Sequence, residues 1–145
     1  MSMSPIIVVG CGGSGGAVIT ALRSRLENHL RRIGWDEGIP QSWQLIWADT
    51  PQRPDDMAEY GSTIPSDDYV SLSQNLPTVA QVYASVKTFL GNDQMKYVQE
   101  WAPNPQVPTP IGKGAGQWRA IGRLAAIMSL GNLGARIDDA MTQIS

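Results

Sequence analysis

The run Ile6-Ile7-Val8-Val9-Gly10-Cys11-Gly12-Gly13-Ser14-Gly15-Gly16 constrains the fold more than any other stretch of this 145-residue chain. Ile6 to Val9 are all β-branched, with no polar alternation. That pattern predicts a strand buried on both faces, as in a parallel sheet covered by helices. Val18, Leu22, Leu26, Leu30 and Ile33 then recur at helical spacing. They predict an amphipathic helix that begins near Gly16 and ends near Gly34. Arg23, Arg25, Arg31 and Arg32 fall mainly between them, which predicts a solvated outer face. Gly10, Gly12 and Gly15 thus match G-x-G-x-x-G between a strand and a helix, where the fingerprint requires it.

The chemistry of such a turn is anion binding. Glycine takes positive φ and has no Cβ to block an approaching phosphate. Successive backbone N–H groups form a concave anion site, and the helix start adds its own unpaired N–H groups. Ser14 can add a hydroxyl donor. The alternative is a glycine turn that only lets helix and strand pack closely. No Lys-Ser or Lys-Thr follows the glycines, so the loop is not a P-loop.

Gln44 to Ala48 predicts a second strand, parallel to the first and beside it, joined through the helix. Thr50 to Pro77 is rich in Pro, Ser and Asp and predicts a long loop. Val79, Val82, Tyr83, Val86 and Leu90 line one face of a helix over Thr78–Leu90. A short helix over Asp93–Trp101 follows, ended by Pro103 and Pro105. A proline-rich connector leads to a second glycine cluster, Gly112-Lys113-Gly114-Ala115-Gly116. After it, Ile121, Leu124, Ala125, Met128, Leu133, Ile137, Met141 and Ile144 predict a long helix, with a bend or break at Gly131 and Gly134. The expected fold is a Rossmann-like, three-layer α/β domain over residues 1–145, with a parallel sheet of two to three strands and flanking helices.

Composition narrows the function classes. Hydrophobic content is 42% and formal net charge is −2, with acids and bases mixed, which gives no footing for nucleic acid or an anionic membrane. Cys11 is the only cysteine, so no intramolecular disulfide forms, and the apolar run ending at Val9 is too short for a signal peptide or a membrane span. A cytoplasmic protein is the expectation.

The first glycine motif leaves the nucleotide open. A dinucleotide fold wants an acid at the end of the second strand, about 20 residues after the loop. Asp49 has the place but lies further on; Asp36 and Glu37 have the distance but not the place. The second cluster, running into a helix through Gln117-Trp118-Arg119, suits a polyphosphate gripped at two points, with charge from Lys113 and Arg119. A dinucleotide (NAD or FAD) or ATP-binding Rossmann fragment and a non-enzymatic interaction module stay as alternatives.

The stretch GKGAGQWRAIGRLAA resembles the third nucleotide loop of the tubulin superfamily, in which G-x-G-A-G is followed by Gly-Arg and alanines. VVGCGGSGG is similar to that superfamily's first loop, and IWADT to its second strand and second loop, in the same order. The nearest resemblance is to the large bacterial tubulin-like proteins. It is strong over Gly112–Ala126, good over Ile6–Gly16 and weak over Thr50–Pro110.

This resemblance implies a GTP-binding domain. Gly10, Cys11, Gly12, Gly13, Ser14 and Gly15 would lie at the α- and β-phosphates. Gly114, Ala115, Gly116 and Gln117 would lie near the γ-phosphate. Asp49 and Thr50 would lie beside the phosphates or their Mg²⁺. The family often carries an acid after this threonine, and here it is Pro51, which weighs against magnesium coordination through that loop. Cys11 reads as a small packing group rather than a nucleophile, and no residue stands out as catalytic or metal-ligating. The superfamily's G-G-T-G-[ST]-G loop does not occur in the chain. The core helix, the guanine-binding segments and the acidic loop that completes a neighbour's site are missing too. The resemblance therefore implies the N-terminal segment of a GTPase domain, without hydrolysis of its own, that self-associates or depends on a second half.

Overall fold

The computed structural model describes residues 4–144 except 74, 75, 77, 109, 112, 113, 116 and 117. Three strands, β1 (Ile6–Cys11), β2 (Trp43–Asp49) and β3 (Tyr69–Ser71), form one parallel sheet in the order β1-β2-β3. Three long helices accompany them: α1 (Gly12–Arg32), α2 (Val79–Gln99) and α3 (Arg119–Gln143). The predicted α/β class and parallel sheet are therefore present. The chain divides into two compact units. One comprises Met1–Ala48, Pro54–Val70 and Leu133–Ser145; the other comprises Asp49–Arg53 and Ser71–Asn132.

In the first unit β1 and β2 pair in parallel from Ile6 opposite Trp43 to Cys11 opposite Ala48. The burial expected of β1 belongs to β2 instead. β2 is buried from Gln44 to Ala48, whereas Ile6 and Val9 of β1 are 46% and 39% exposed. The reason is position: β1 stands at an edge of the described sheet and β2 in its middle. Alternation along β2 serves both faces. Leu45 and Trp47 pack with Ile19 of α1 and with Ile64. Gln44, on the other set, donates to Gln143 Oε1 (2.8 Å) and accepts from Arg136 Nη2 (2.9 Å), both on α3.

α1 starts at Gly12, earlier than the periodicity indicates, because the strand runs straight into the helix. It stops as predicted. Gly34 has φ 81°, Trp35 N–H bonds to the Leu30 carbonyl and Gly34 N–H to that of Arg31, which is a Schellman cap. The buried face is rotated from the predicted one: Ile19, Thr20 and Leu30 are buried, while Val18 and Ile33 are exposed. Arg23 also departs from a solvated face. It bonds to Glu27 (3.1 Å) and to Asp68 (3.0 Å), and Asp68 takes a second guanidinium from Arg136 (3.0 Å). Two cations and two carboxylates, each largely buried, tie α1, β2, α3 and the 3-10 turn Ser66–Asp68 together. Losing one member of such a set leaves its partners unpaired, which is why it acts as a unit.

The segment expected to be one long loop contains β3. Three residues between Asp68 and Leu72 carry too little pattern to predict a strand, and pairing in the sheet decides it.

The second unit is built on α2 and residues 119–132 of α3. Val79, Val82, Val86, Met95 and Val98 pack with Ile111, Ile121, Leu124 and Ala125, which takes in Val79, Val82 and Val86 of the predicted α2 face but only Ile121, Leu124 and Ala125 of the predicted α3 face. Thr78 caps α2: its hydroxyl accepts from Gln81 N–H (3.3 Å) and bonds to the Gln81 side chain (2.9 Å). Gly91, at φ 74°, kinks α2 where the sequence divides it into two helices. Ser129, fully buried, donates to the Leu72 carbonyl (2.7 Å). Arg123, though exposed, stacks its guanidinium over Trp101 at 4.2 Å.

No break occurs in α3 at Gly131 or Gly134. Packing at both ends outweighs two weak helix formers. A Cβ at either position would meet nothing within 4 Å. Gly131→Ala and Gly134→Ala are each expected to raise stability by about 0.5–1 kcal/mol, through the smaller entropy loss of alanine. Urea midpoints measure this, and a lowered midpoint in either variant would contradict it.

Candidate functional site

The first glycine cluster is the junction of β1 and α1, and its glycines do different things. A Cβ at Gly10 would lie 2.6 Å from Ile19 Cγ1 and 2.8 Å from the Gly15 carbonyl carbon; a Cβ at Gly15 would lie 2.6 Å from the Gly10 carbonyl carbon. These two glycines let strand end and first helical turn touch, backbone to backbone. A Cβ at Gly16 would enter the Trp47 ring, 2.8 Å from its Cδ2. Trp47 is held in turn by its Nε1, which donates to the Gly12 carbonyl (3.0 Å), and by an edge-on contact with Tyr69. So Gly10, Gly15 and Gly16 serve packing, the alternative the sequence leaves open.

Gly12 and Gly13 are different. Gly12 takes φ 70°, a conformation costly for any residue with a Cβ. A Cβ at Gly12 or Gly13 would meet nothing within 4 Å, and Gly13 and Ser14 are exposed. The α1 N-terminus lacks a side-chain cap, because Cys11 occupies the N-cap without bonding, and no acid stands in the first turn. Its first N–H groups have no partner within the helix and lie at the positive end of the helix dipole. Cys11 is exposed rather than packed.

Beside this terminus lies an open cleft of about 530 Å³, walled by Gly13, Ser14 and Ala17 on one side and by Asp55, Asp56, Glu59 and Tyr60 on the other. Sequence reasoning missed these last residues. They come from the long connection after β2, and what seats them is contact with α1. Gly61, at φ 153°, lies so close that a Cβ would meet the Ser24 side chain and, at 2.9 Å, the Thr20 carbonyl oxygen. Ser62 N–H bonds to Ser24 Oγ (2.7 Å), and Ser62 Oγ to Glu27 (2.8 Å). The Tyr-Gly-Ser run was the available signal. Glu59, hydrogen-bonded to Tyr60 and charged, holds the Tyr60 hydroxyl above the ordinary phenol range.

The other predicted residues belong to the second unit. Asp49 and Thr50 bind each other: Asp49 Oδ1 accepts from Thr50 N–H (2.7 Å), and the Asp49 carbonyl accepts from Leu72 N–H (2.7 Å). Thr50 is 2% exposed, so its hydroxyl is not on the surface. Gly114 takes φ 110° and donates to the Ile111 carbonyl (2.8 Å), and the Ala115 carbonyl accepts from Trp118 N–H (3.0 Å). Gly116 and Gln117, with Gly112 and Lys113, lie outside the described residues. Among the described residues no three His, Cys, Asp or Glu side chains gather to hold a metal ion, and no helix is long and apolar enough to cross a membrane.

A family model described as tubulin-like matches residues 7–145. The chain belongs to the tubulin-like family. The match spans both units and every strand and helix but the first residue of β1. No match was found among curated proteins or among solved structures.

Proposed function

We propose that this tubulin-like chain binds GTP, with the phosphates on the α1 N-terminus. The observation that carries the reading is the pair Gly12–Gly13: an uncapped helix start, free of acids, with open space where side chains would otherwise stand. The backbone N–H groups of Gly12, Gly13, Ser14 and Gly15 would donate to the α- and β-phosphates, and the Ser14 hydroxyl would add a donor. Gly10 is a spacer in this scheme, and Cys11 supplies only backbone. Asp49 and Thr50, and the loop Gly114, Ala115, Gly116 and Gln117, are assigned to the nucleotide by the family resemblance alone. Family membership favours GTP over a dinucleotide or ATP.

Asp55, Asp56 and Glu59 make the far wall of the cleft negative, so a polyphosphate there would carry its own counter-cation. The described side chains do not themselves compose a magnesium centre, and Pro51 adds no ligand. Holding phosphate in place is what these residues can do; hydrolysis would need groups from a further segment or a second subunit. Residues 1–145 are in this reading the N-terminal segment of a GTPase domain that works in the cytoplasm and in self-association.

Calorimetric titration of the chain with GTP, ATP and NAD tests this. The expected outcome is saturable binding of GTP, weaker binding of ATP and NAD, and no phosphate release above the uncatalysed rate. Equal or absent binding of all three would return the glycine turn to a purely structural role.

A further inference from the structure

Among the described residues of the first unit, Tyr60 is the one Trp, Tyr or Phe side chain that stands exposed, at 48%, and it stands on the cleft. The chain fixes its backbone from both sides. Before it, Met57 packs against the buried cluster of Ile19, Leu45, Trp47 and Ile64, and the Met57 carbonyl accepts from Tyr60 N–H (2.8 Å). After it, Gly61 lies against Ser24 and Thr20, and Ser62 N–H bonds to Ser24 Oγ (2.7 Å). Single exposed apolar side chains are ordinary on a protein surface. A ring whose backbone is seated on both sides, beside an open cleft, is different: little further ordering is needed for it to receive a flat ligand. Its hydroxyl, held above the ordinary phenol range by Glu59, stays protonated, so the ring brings no charge of its own.

The charge of the cleft orients a nucleotide within it. Asp55, Asp56 and Glu59 repel phosphates from the wall that carries Tyr60, and the positive end of α1 draws them to the other wall. The uncharged end of the nucleotide is left to the Tyr60 wall. Ala17, which also lines the cleft, lies four residues beyond Gly13 on α1, about 6 Å along the helix axis. A ribose has a similar reach, and the alanine methyl leaves room above it. Phosphates at Gly12 and Gly13 would therefore bring the base over Ala17, within the cleft that Tyr60 walls.

We propose that Tyr60 is the platform on which the base of the bound nucleotide stacks. The proposal rests on the GTP reading and adds to it a residue that grips the nucleoside rather than the phosphates. Every base has a π-face, so the ring supplies affinity and not the choice between guanine and adenine.

Titration calorimetry of the parent chain, Tyr60→Ala and Tyr60→Phe tests this, with GTP and inorganic tripolyphosphate as the two ligands. Tyr60→Ala is expected to lose about 5- to 100-fold in GTP affinity, as removal of a stacking ring does. Its affinity for tripolyphosphate, which has no base, should equal the parent's. Tyr60→Phe keeps the ring and should bind GTP as the parent does. Both variants should unfold thermally beside the parent, because the side chain is half-exposed. In the NMR spectrum of the GTP complex, the Tyr60 ring protons should show NOEs to guanine H8 or ribose H1′, which a purely structural tyrosine would not. The proposal is overturned if Tyr60→Ala binds GTP as tightly as the parent, if it loses tripolyphosphate along with GTP, or if the saturated complex shows no such NOE. A parent that binds tripolyphosphate yet shows none of the Tyr60 effects keeps the phosphates on α1 and loses only the stack. A parent that binds neither ligand loses both readings.

Discussion

Gly13→Asp is expected to abolish nucleotide binding while leaving the fold as stable as the parent, or more so. Gly13 sits in the first turn of α1, with nothing within 4 Å of the Cβ position, so a side chain is accommodated. Any residue other than glycine or proline improves helix propensity there by a few tenths of a kcal/mol, and an acid in the first turn adds about 0.3–1 kcal/mol through the helix dipole. The same carboxylate would occupy the phosphate position and repel a phosphate at contact distance. A loss of 100-fold or more in GTP affinity is expected, about 2.7 kcal/mol. The opposed signs make the result diagnostic. Titration calorimetry gives the affinity and thermal unfolding gives the stability. Unchanged GTP affinity in a folded Gly13→Asp protein would remove the phosphates from the α1 terminus. Gly13→Ala is the companion variant, expected to be stabilised and to bind more weakly than the parent by a smaller factor.

Gly10→Ala has the largest expected effect on the fold itself. The added Cβ would meet the Gly15 carbonyl and Ile19 Cγ1, and Ile19 is fully buried. Two backbone segments in direct contact cannot give way as a flexible side chain can. A destabilisation of about 3 kcal/mol or more is expected, at or above the upper end of the usual overpacking range. Domains have only about 5–15 kcal/mol in total, so much of the first unit's stability would go. Gly16→Ala should behave alike, because its Cβ would enter the Trp47 ring, which is held by the bond to the Gly12 carbonyl. Urea unfolding followed by circular dichroism measures both, and a Gly10→Ala protein as stable as the parent would refute the packing role. The contrast with Gly13, three residues on, separates glycines that the fold needs from a glycine that it does not.

Much of the fold was legible because local physics expresses itself in short patterns. The α1 terminus is announced by Gly34, the α2 start falls at Thr78 where the apolar period begins, and the α2 kink falls between the two helices expected over Thr78–Leu90 and Asp93–Trp101. The parallel pairing of β1 with β2 followed from a strand–helix–strand order. The candidate site was legible only in part. The sequence picked out Gly10–Gly15 but gave every glycine the same duty, since a glycine's neighbours in space are not written beside it. It also missed Asp55 to Tyr60, which reach the cleft through the contacts of Gly61 and Ser62 with α1.

By itself, then, the sequence determined the class of structure and the order of its parts: an apolar β-branched run, a glycine turn, amphipathic helices, and the motifs that mark a tubulin-like chain. Tertiary structure alone decided which strand is buried, that β3 exists, that Arg23 belongs to an ion network, and that Thr50 is enclosed. The physical reason is range. Propensity, capping and periodicity act over a few residues along the chain, and the residues report them directly. Burial, close approach and charge pairing act over ångströms between segments far apart in sequence, and only the packed chain brings Trp47 to Gly16 or Asp68 to Arg136.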